Sequence, residues 1–230
     1  MSHRLVVLIS GSGTNLQAIL DAIRNGELDA EVVLVLSNRP GVAGLARADA
    51  AGVPTCVINH RDYADREQFD QAMIEAIDRC QPDTVVLAGF MRILTPAFVR
   101  HYQGRLLNIH PSLLPRYPGL NTHQRALEAG DRDHGCSIHF VTDQLDGGPV
   151  IARAIVPIEP NDSVESLSNR VQTREHVLYP LVLRWRAEER VHLHPEGVVL
   201  DGQRLPETGF TLPWQDAGDQ SDAPAGAGAR

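Results

Sequence analysis

Short apolar runs alternate with stretches of helical spacing through the first half of the chain. Residues 5–9, 32–36, 54–58, 84–88 and 105–109 each read as a buried strand. Between them, Leu16, Ile19, Leu20 and Ile23 recur at helical spacing, and Asn25-Gly26 ends that helix. Residues 43–51 look helical up to Gly52, and Phe69, Met73, Ile74 and Ile77 mark a further helix stopped near Pro82. Apolar strands separated by helices predict βαβ units and an open, mostly parallel twisted sheet with helices on both faces, an α/β fold.

The pattern changes after about the midpoint. Residues 136–141 alternate as a strand, Gly147-Gly148-Pro149 punctuates, and residues 150–156 form the next strand, so the two are expected to pair as an antiparallel addition. Ser163 starts a long helix with Glu165 in its first turn and an apolar stripe of Val164, Leu167, Val171, Val177 and Leu178 running toward Trp185. Short strands near residues 191–193 and 198–200 are expected to close the fold. Residues 219–230 are rich in Gly, Ala, Pro, Ser and Asp, which predicts a disordered tail.

Composition narrows the possibilities. A chain of 230 residues fits one large domain or two small ones, and 43% hydrophobic with 22% charged residues is the balance of an ordinary globule. A net charge of −8 argues against a nonspecific nucleic-acid binder. Cys56, Cys80 and Cys136 are scattered without CxxC spacing, so neither a disulfide framework nor a structural zinc site is expected. The apolar run at residues 5–9 is too short for a signal-peptide core and no window approaches a membrane span, so the expected location is the cytoplasm.

Three segments carry candidate chemistry. In residues 106–115, LLNIHPSLLP, Asn108 and His110 stand two apart at the end of an apolar run that Pro111 breaks. Residues i and i+2 of a strand share a face, so an amide and an imidazole converge where a reaction could develop charge on an oxygen. The plainer alternative is a turn histidine with a satisfied ring. Ser10-Gly11-Ser12-Gly13-Thr14-Asn15-Leu16 lies between a strand and a helix, where small residues and free N–H groups receive an anion. A dinucleotide fingerprint would need a third glycine where Leu16 stands and an acid where Ser37-Asn38 ends the second strand. No Gly-Lys-Ser/Thr follows, so a compact phosphate monoester fits better than either nucleotide motif. Asp146 precedes two glycines that let the backbone bend. It either caps its own turn or, if the chain folds back, orients His110 and favours its imidazolium. Met91-Arg92-Ile93-Leu94 reads as a pocket edge or as core with a snorkelling arginine. His192 and His194 lack a third metal ligand, and Arg184, Arg186 and Arg190 read as a solvated helix face.

On these motifs, taken with residues 86–94, Tyr117-Pro118-Gly119, residues 135–149, Val171-Gln172-Thr173, Glu175-His176 and residues 201–206, the chain closely resembles the phosphoribosylglycinamide formyltransferases over residues 4–212. These are the folate-dependent formyl-transfer enzymes of purine synthesis. The resemblance implies a catalytic trio of Asn108, His110 and Asp146. It implies a ribotide site of Gly11, Ser12, Gly13, Thr14, Asn15, Pro111, Gln172 and Glu175. It also implies a folate site of Arg66, Met91, Arg92, Ile93, Leu94, Asn108, Val141 and Asp146, with the loop from Val141 to Asp146 as the pterin wall. The implied co-substrate is 10-formyltetrahydrofolate and the implied acceptor glycinamide ribonucleotide, with no metal, nucleic acid or membrane partner, in a monomer or homodimer. One domain is expected over residues 1–212, with phosphate binding in residues 1–104, catalysis and folate binding in residues 105–212, and a tail over residues 213–230. Cys136 stands where a small hydroxyl residue is usual in the family and leaves a reactive thiol open. The rival readings are another formyl-folate enzyme, an initiator-tRNA formyltransferase or a formyl-folate hydrolase, and a nicotinamide-dependent oxidoreductase or a non-catalytic nucleotide-binding protein.

Overall fold

A computed structural model describes residues 2–214. Its strands are β1 (His3–Ile9), β2 (Ala30–Ser37), β3 (Thr55–Val57), β4 (Thr84–Leu87), β5 (Leu106–His110), β6 (Asp133–Phe140), β7 (Val150–Pro157), β8 (Val191–His194), β9 (Gly197–Leu200), β10 (Gln203–Arg204) and β11 (Phe210–Leu212). Its α-helices are α1 (Thr14–Arg24), α2 (Ala43–Ala50), α3 (Arg66–Asp78), α4 (Pro96–His101), α5 (Thr122–Glu128) and α6 (Val164–Ala187). One eight-stranded sheet runs in the order β11-β7-β6-β5-β4-β1-β2-β3. Strands β3, β2, β1, β4 and β5 are parallel, β6 is antiparallel to β5 and β7, and β11 lies parallel to β7.

The apolar runs form strands because both faces of the sheet are covered. Leu5, Val7 and Ile9 of β1 join a core with Leu16 and Ile19 of α1 and Leu178 and Val182 of α6. Val6 and Leu8 face the other way, toward Phe69, Met73 and Ile77 of α3 and Phe98 of α4. Alternate residues of each strand therefore serve opposite layers. On β5, Asn108 and His110 share the parity of Leu106, which packs in the α3/α4 layer. The strand order reverses between β1 and β4, the place where open α/β sheets form a crevice at their carboxyl edge.

The strands expected near residues 191–193 and 198–200 are present as β8 and β9, and with β10 they form a separate three-stranded antiparallel sheet. Several expectations need correction. Within the α6 stripe, Leu167, Val171 and Leu178 are buried, whereas Val164 and Val177 are exposed: Val164 opens the first turn, and Val177 shares the solvent face with Thr173 and Arg184. Arg186 is not on a solvated face: its Nη1 donates to the Val191 carbonyl and its guanidinium lies over the Phe140 ring. Cys136 is fully buried and burial pushes its thiol well up, which removes the condition for a reactive thiolate. The expected disordered tail lies, from residue 215 on, outside the described residues. No helix among the described residues is long and apolar enough to cross a membrane.

Candidate active site

The carboxyl end of β5 sets the first two groups. Pro111 ends the strand, and the following turn is pinned by Ser137, whose hydroxyl donates to the Ser112 carbonyl at 2.7 Å and accepts from the Leu114 N–H at 3.1 Å. Asn108 and His110 do share a face, as their spacing predicts. Both are already engaged. The Asn108 carboxamide nitrogen lies 3.2 Å from His139 Nε2, directly across the β5–β6 ladder. His110 Nε2 lies 2.9 Å from the carbonyl of Tyr117.

Asp146 reaches this pair because the chain after β6 folds back. Its Oδ2 lies 3.5 Å from His110 Nδ1 and accepts the Gly119 N–H at 2.8 Å. Both side chains are nearly buried, at 8% and 9% exposure, so water screens the contact little. Each nitrogen of His110 thus faces an oxygen that can only accept, and a ring carrying both protons satisfies both. The bend is not in the two glycines: Asp146 itself holds the left-handed conformation, with φ 48°. Gly148 is needed for close approach instead, since a Cβ there would sit 1.8 Å from the Phe140 carbonyl. The turn-cap alternative for Asp146 gives way to these two contacts across the chain.

His139 is a site residue that sequence reasoning assigned no role. It is 2% exposed, and burial pushes its pKa down, which keeps the ring neutral. Nδ1 lies 3.0 Å from the Phe140 carbonyl and must carry the proton. Nε2 is then an acceptor, and Asn108 Nδ2 donates to it. This fixes the amide: its oxygen and remaining N–H point elsewhere. The signal was present in the alternation of residues 136–141, which places His139 opposite Asn108, but the pairing register was not legible.

The glycine loop follows β1. Gly13 is the N-cap of α1 with φ 69° and no side chain caps the helix, so first-turn N–H groups have no side-chain partner. Asn15 belongs to the ribotide site that the resemblance implies, but its side chain is not free to face the loop's anion position. Its Nδ2 is instead 2.9 Å from the buried Glu175 carboxylate, and its Oδ1 is buried without a partner. Burial raises the Glu175 pKa, with the Asn15 bond opposing it. Ser10 binds the strand ends together, donating to Asn38 at 2.6 Å and accepting from the Met91 N–H at 2.8 Å. A second pin holds the segment after β4: Asp70 of α3 accepts the Thr95 N–H at 2.6 Å.

A cleft of about 760 Å³ runs along this edge, within the size range of small-molecule sites. It brings together Asn15, Met91, Arg92, Ile93, Leu94, Asn108, His110, Pro111, Val141, Asp146 and Glu175. Met91 and Ile93 are exposed at 60% and 62%, so that segment is a pocket rim and not core. Gly11, Ser12, Gly13, Thr14 and Gln172 do not line the cleft; Gln172 lies on α6 one turn before Glu175. Arg66 does not line it either, being exposed at the start of α3. Among the described residues no group of three or more His, Cys, Asp or Glu side chains could hold a metal ion.

Residues 3–183 match the formyl transferase family. The chain belongs to that family. It is 55% identical over 206 residues to a phosphoribosylglycinamide formyltransferase of Escherichia coli, covering 90% of this chain and 97% of the relative. A Haemophilus influenzae protein of the same name is 44% identical over 207 residues, 90% of this chain and 98% of its own length. The solved phosphoribosylglycinamide formyltransferase of Coxiella burnetii is 50% identical, superposes with a TM-score of 0.90, and covers 93% of this chain and 100% of that one. The family places the cleft described above in a formyl-transfer fold, and the resemblance drawn from the motifs stands.

Proposed function

We propose that this chain transfers the formyl group of 10-formyltetrahydrofolate to the amine of glycinamide ribonucleotide, a step of purine synthesis. The observation that carries the reading is the 3.5 Å approach of Asp146 to His110 beside Asn108, at the mouth of an apolar cleft and near a free helix N-terminus. The formyl donor supplies an activated one-carbon acyl group, so no metal is required. Met91, Ile93, Leu94 and Val141 offer an apolar bed suited to its ring system, with Arg92 at the rim. Arg66 lies at the start of α3, outside the cleft, and no step of the proposed transfer uses it.

The glycine loop, residues 11–15, receives the ribotide phosphate through N–H groups. Glu175 and Pro111 line the cleft between Asn15 and His110 and are assigned to the ribotide, as is Gln172, one turn before Glu175 on α6. The amine attacks the formyl carbon and the carbonyl oxygen gains negative charge. His110 Nε2 and the second N–H of Asn108 donate to that oxygen, the Tyr117 carbonyl giving up its place on Nε2 to the substrate carbonyl. Asp146 holds Nδ1 and balances the charged ring. The proton leaving the amine reaches the departing nitrogen through His110 or a water beside Asp146. The catalytic unit is read as residues 1–212.

The test is a purified-protein assay with formyl-tetrahydrofolate and the ribotide, following loss of the formyl donor. Turnover that needs both substrates is expected. No turnover with fresh substrates overturns the reading, and formyl release to water or to tRNA without the ribotide assigns a different acceptor.

A further inference from the structure

An anion loop works only if its carbonyl oxygens are turned away from the anion. In this chain that task falls to α2, an element no motif marks. The Gly44 N–H donates to the Gly11 carbonyl at 3.0 Å. Arg47 Nε donates to the Ser12 carbonyl at 2.8 Å, and its Nη1 donates to Gln17 Oε1 of α1 at 3.2 Å. Two consecutive carbonyls of the loop are thereby taken up from behind. The packing is flush: a Cβ on Gly13 would lie 2.6 Å from the Gly44 Cα and 3.5 Å from Arg47 Cδ.

Arg47 is also the one cationic side chain hydrogen-bonded to residues 10–15 among the described residues. The loop itself has no lysine or arginine, in a chain of net charge −8. The field of the guanidinium extends past the loop to α6: His176, next to Glu175, is pushed down first by burial and then by Arg47.

We propose that Arg47 is a positioning residue for the ribotide phosphate, holding the Ser12–Gly13 peptide so that its N–H faces the anion and supplying the positive charge the loop lacks. The inference rests on the phosphate reading of the glycine loop and adds the residue that makes the loop selective for a dianion. Arg47 touches no reacting atom, so its loss should act on binding and not on the chemical step.

The experiment compares wild type with Arg47→Met and Arg47→Lys. The expected result for Arg47→Met is a rise in KM for the ribotide of about tenfold or more, with kcat and the KM for the formyl donor within about twofold. Inorganic phosphate, used as a competitor of the ribotide, should inhibit the Met variant correspondingly less. Arg47→Lys keeps the charge but not the two-point grip, and should fall between. A brace that served folding alone would lower the melting temperature and disturb both KM values alike, and that pattern overturns the inference. So does an unchanged ribotide KM with unchanged phosphate inhibition. If Arg47→Met fails to fold, the Lys variant decides on the same KM split. If phosphate does not compete with the ribotide even in wild type, the loop reading itself falls and takes the inference with it. Competition in wild type that Arg47→Met leaves intact removes Arg47 alone.

Discussion

At the scale of single residues, the His110–Asp146 contact separates charge from shape. Asp146→Asn keeps an oxygen for the Gly119 N–H but removes the negative charge facing Nδ1. The expected outcome is a fall in kcat of about 10²-fold or more with a near-native melting temperature, since general acid–base groups contribute that much. Near-full activity would remove the carboxylate from the mechanism. A second pair of rings makes a different prediction. His134 is 1% exposed, 3.1 Å from His123, and pushed down to about 4, by burial first and by His123 second. The unfolded chain takes up this proton near 6.5 and the folded chain does not until about 4. Its contribution is therefore complete above pH 6.5 and is lost as pH falls toward 4, by about 3 kcal/mol. Urea unfolding across this window should show the slope, and His134→Asn should flatten it. An unchanged slope would mean that His134 titrates normally. Neither effect was legible in the chain, because each depends on which partner faces the ring.

At the scale of elements, the buried strands were legible, and the short helices and the short edge strands β10 and β11 were not. Residues 5–9 and 84–88 announce themselves because both sheet faces are buried and nearly every position must be apolar. Helices α4 and α5, of 6 and 7 residues, are too short to repeat a 3.6-residue pattern, and α5 begins from Asn121 in the left-handed conformation. The 3-10 turn at His60–Asp62 buries no side chain and leaves no apolar trace. The site followed the same rule. Asn108 and His110 came from a period of two, and the glycine loop from its place between strand and helix. His139, Asp70 and Arg47 did not, since each acts across the fold on a segment far away in sequence. The loop also yields a prediction of its own. Gly13→Ala forces a Cβ to 2.6 Å from Gly44 Cα at a φ of 69°. Backbone strain of this kind costs about 1–3 kcal/mol, and the clash with Gly44 is relieved only by moving the loop and α1 away from α2. Ribotide KM should rise while the KM for the formyl donor holds; a parallel rise in both would place the damage outside the phosphate loop.

At the scale of the whole molecule, the last described strand locks the sheet onto α6. Strand β11 pairs with β7 and covers what would otherwise be an open edge. Phe210 meets Trp185 edge-on with centroids 5.3 Å apart, and Arg174 Nη2 donates to the Pro213 carbonyl at 2.6 Å. Arg174 precedes Glu175 on α6, so the segment after residue 208 braces the part of α6 that carries Glu175, the wall of the proposed ribotide site. Its three strand residues carry too weak a pattern to be read from the chain, and the small β8–β10 sheet separates them from their partner in sequence. Phe210→Ala removes the ring contact and leaves the backbone pairing, and should lower stability by about 1–2 kcal/mol. At this chain length that is a fall of roughly 2–8 °C in melting temperature. Ending the chain after Glu207 removes the pairing, the ring and the Arg174 acceptor together. The shortened protein should melt lower still and, because Arg174 loses its acceptor beside Glu175, bind the ribotide more weakly than the formyl donor. A shortened chain with the melting temperature and ribotide KM of the full one would show that β11 covers an edge and steadies nothing behind it.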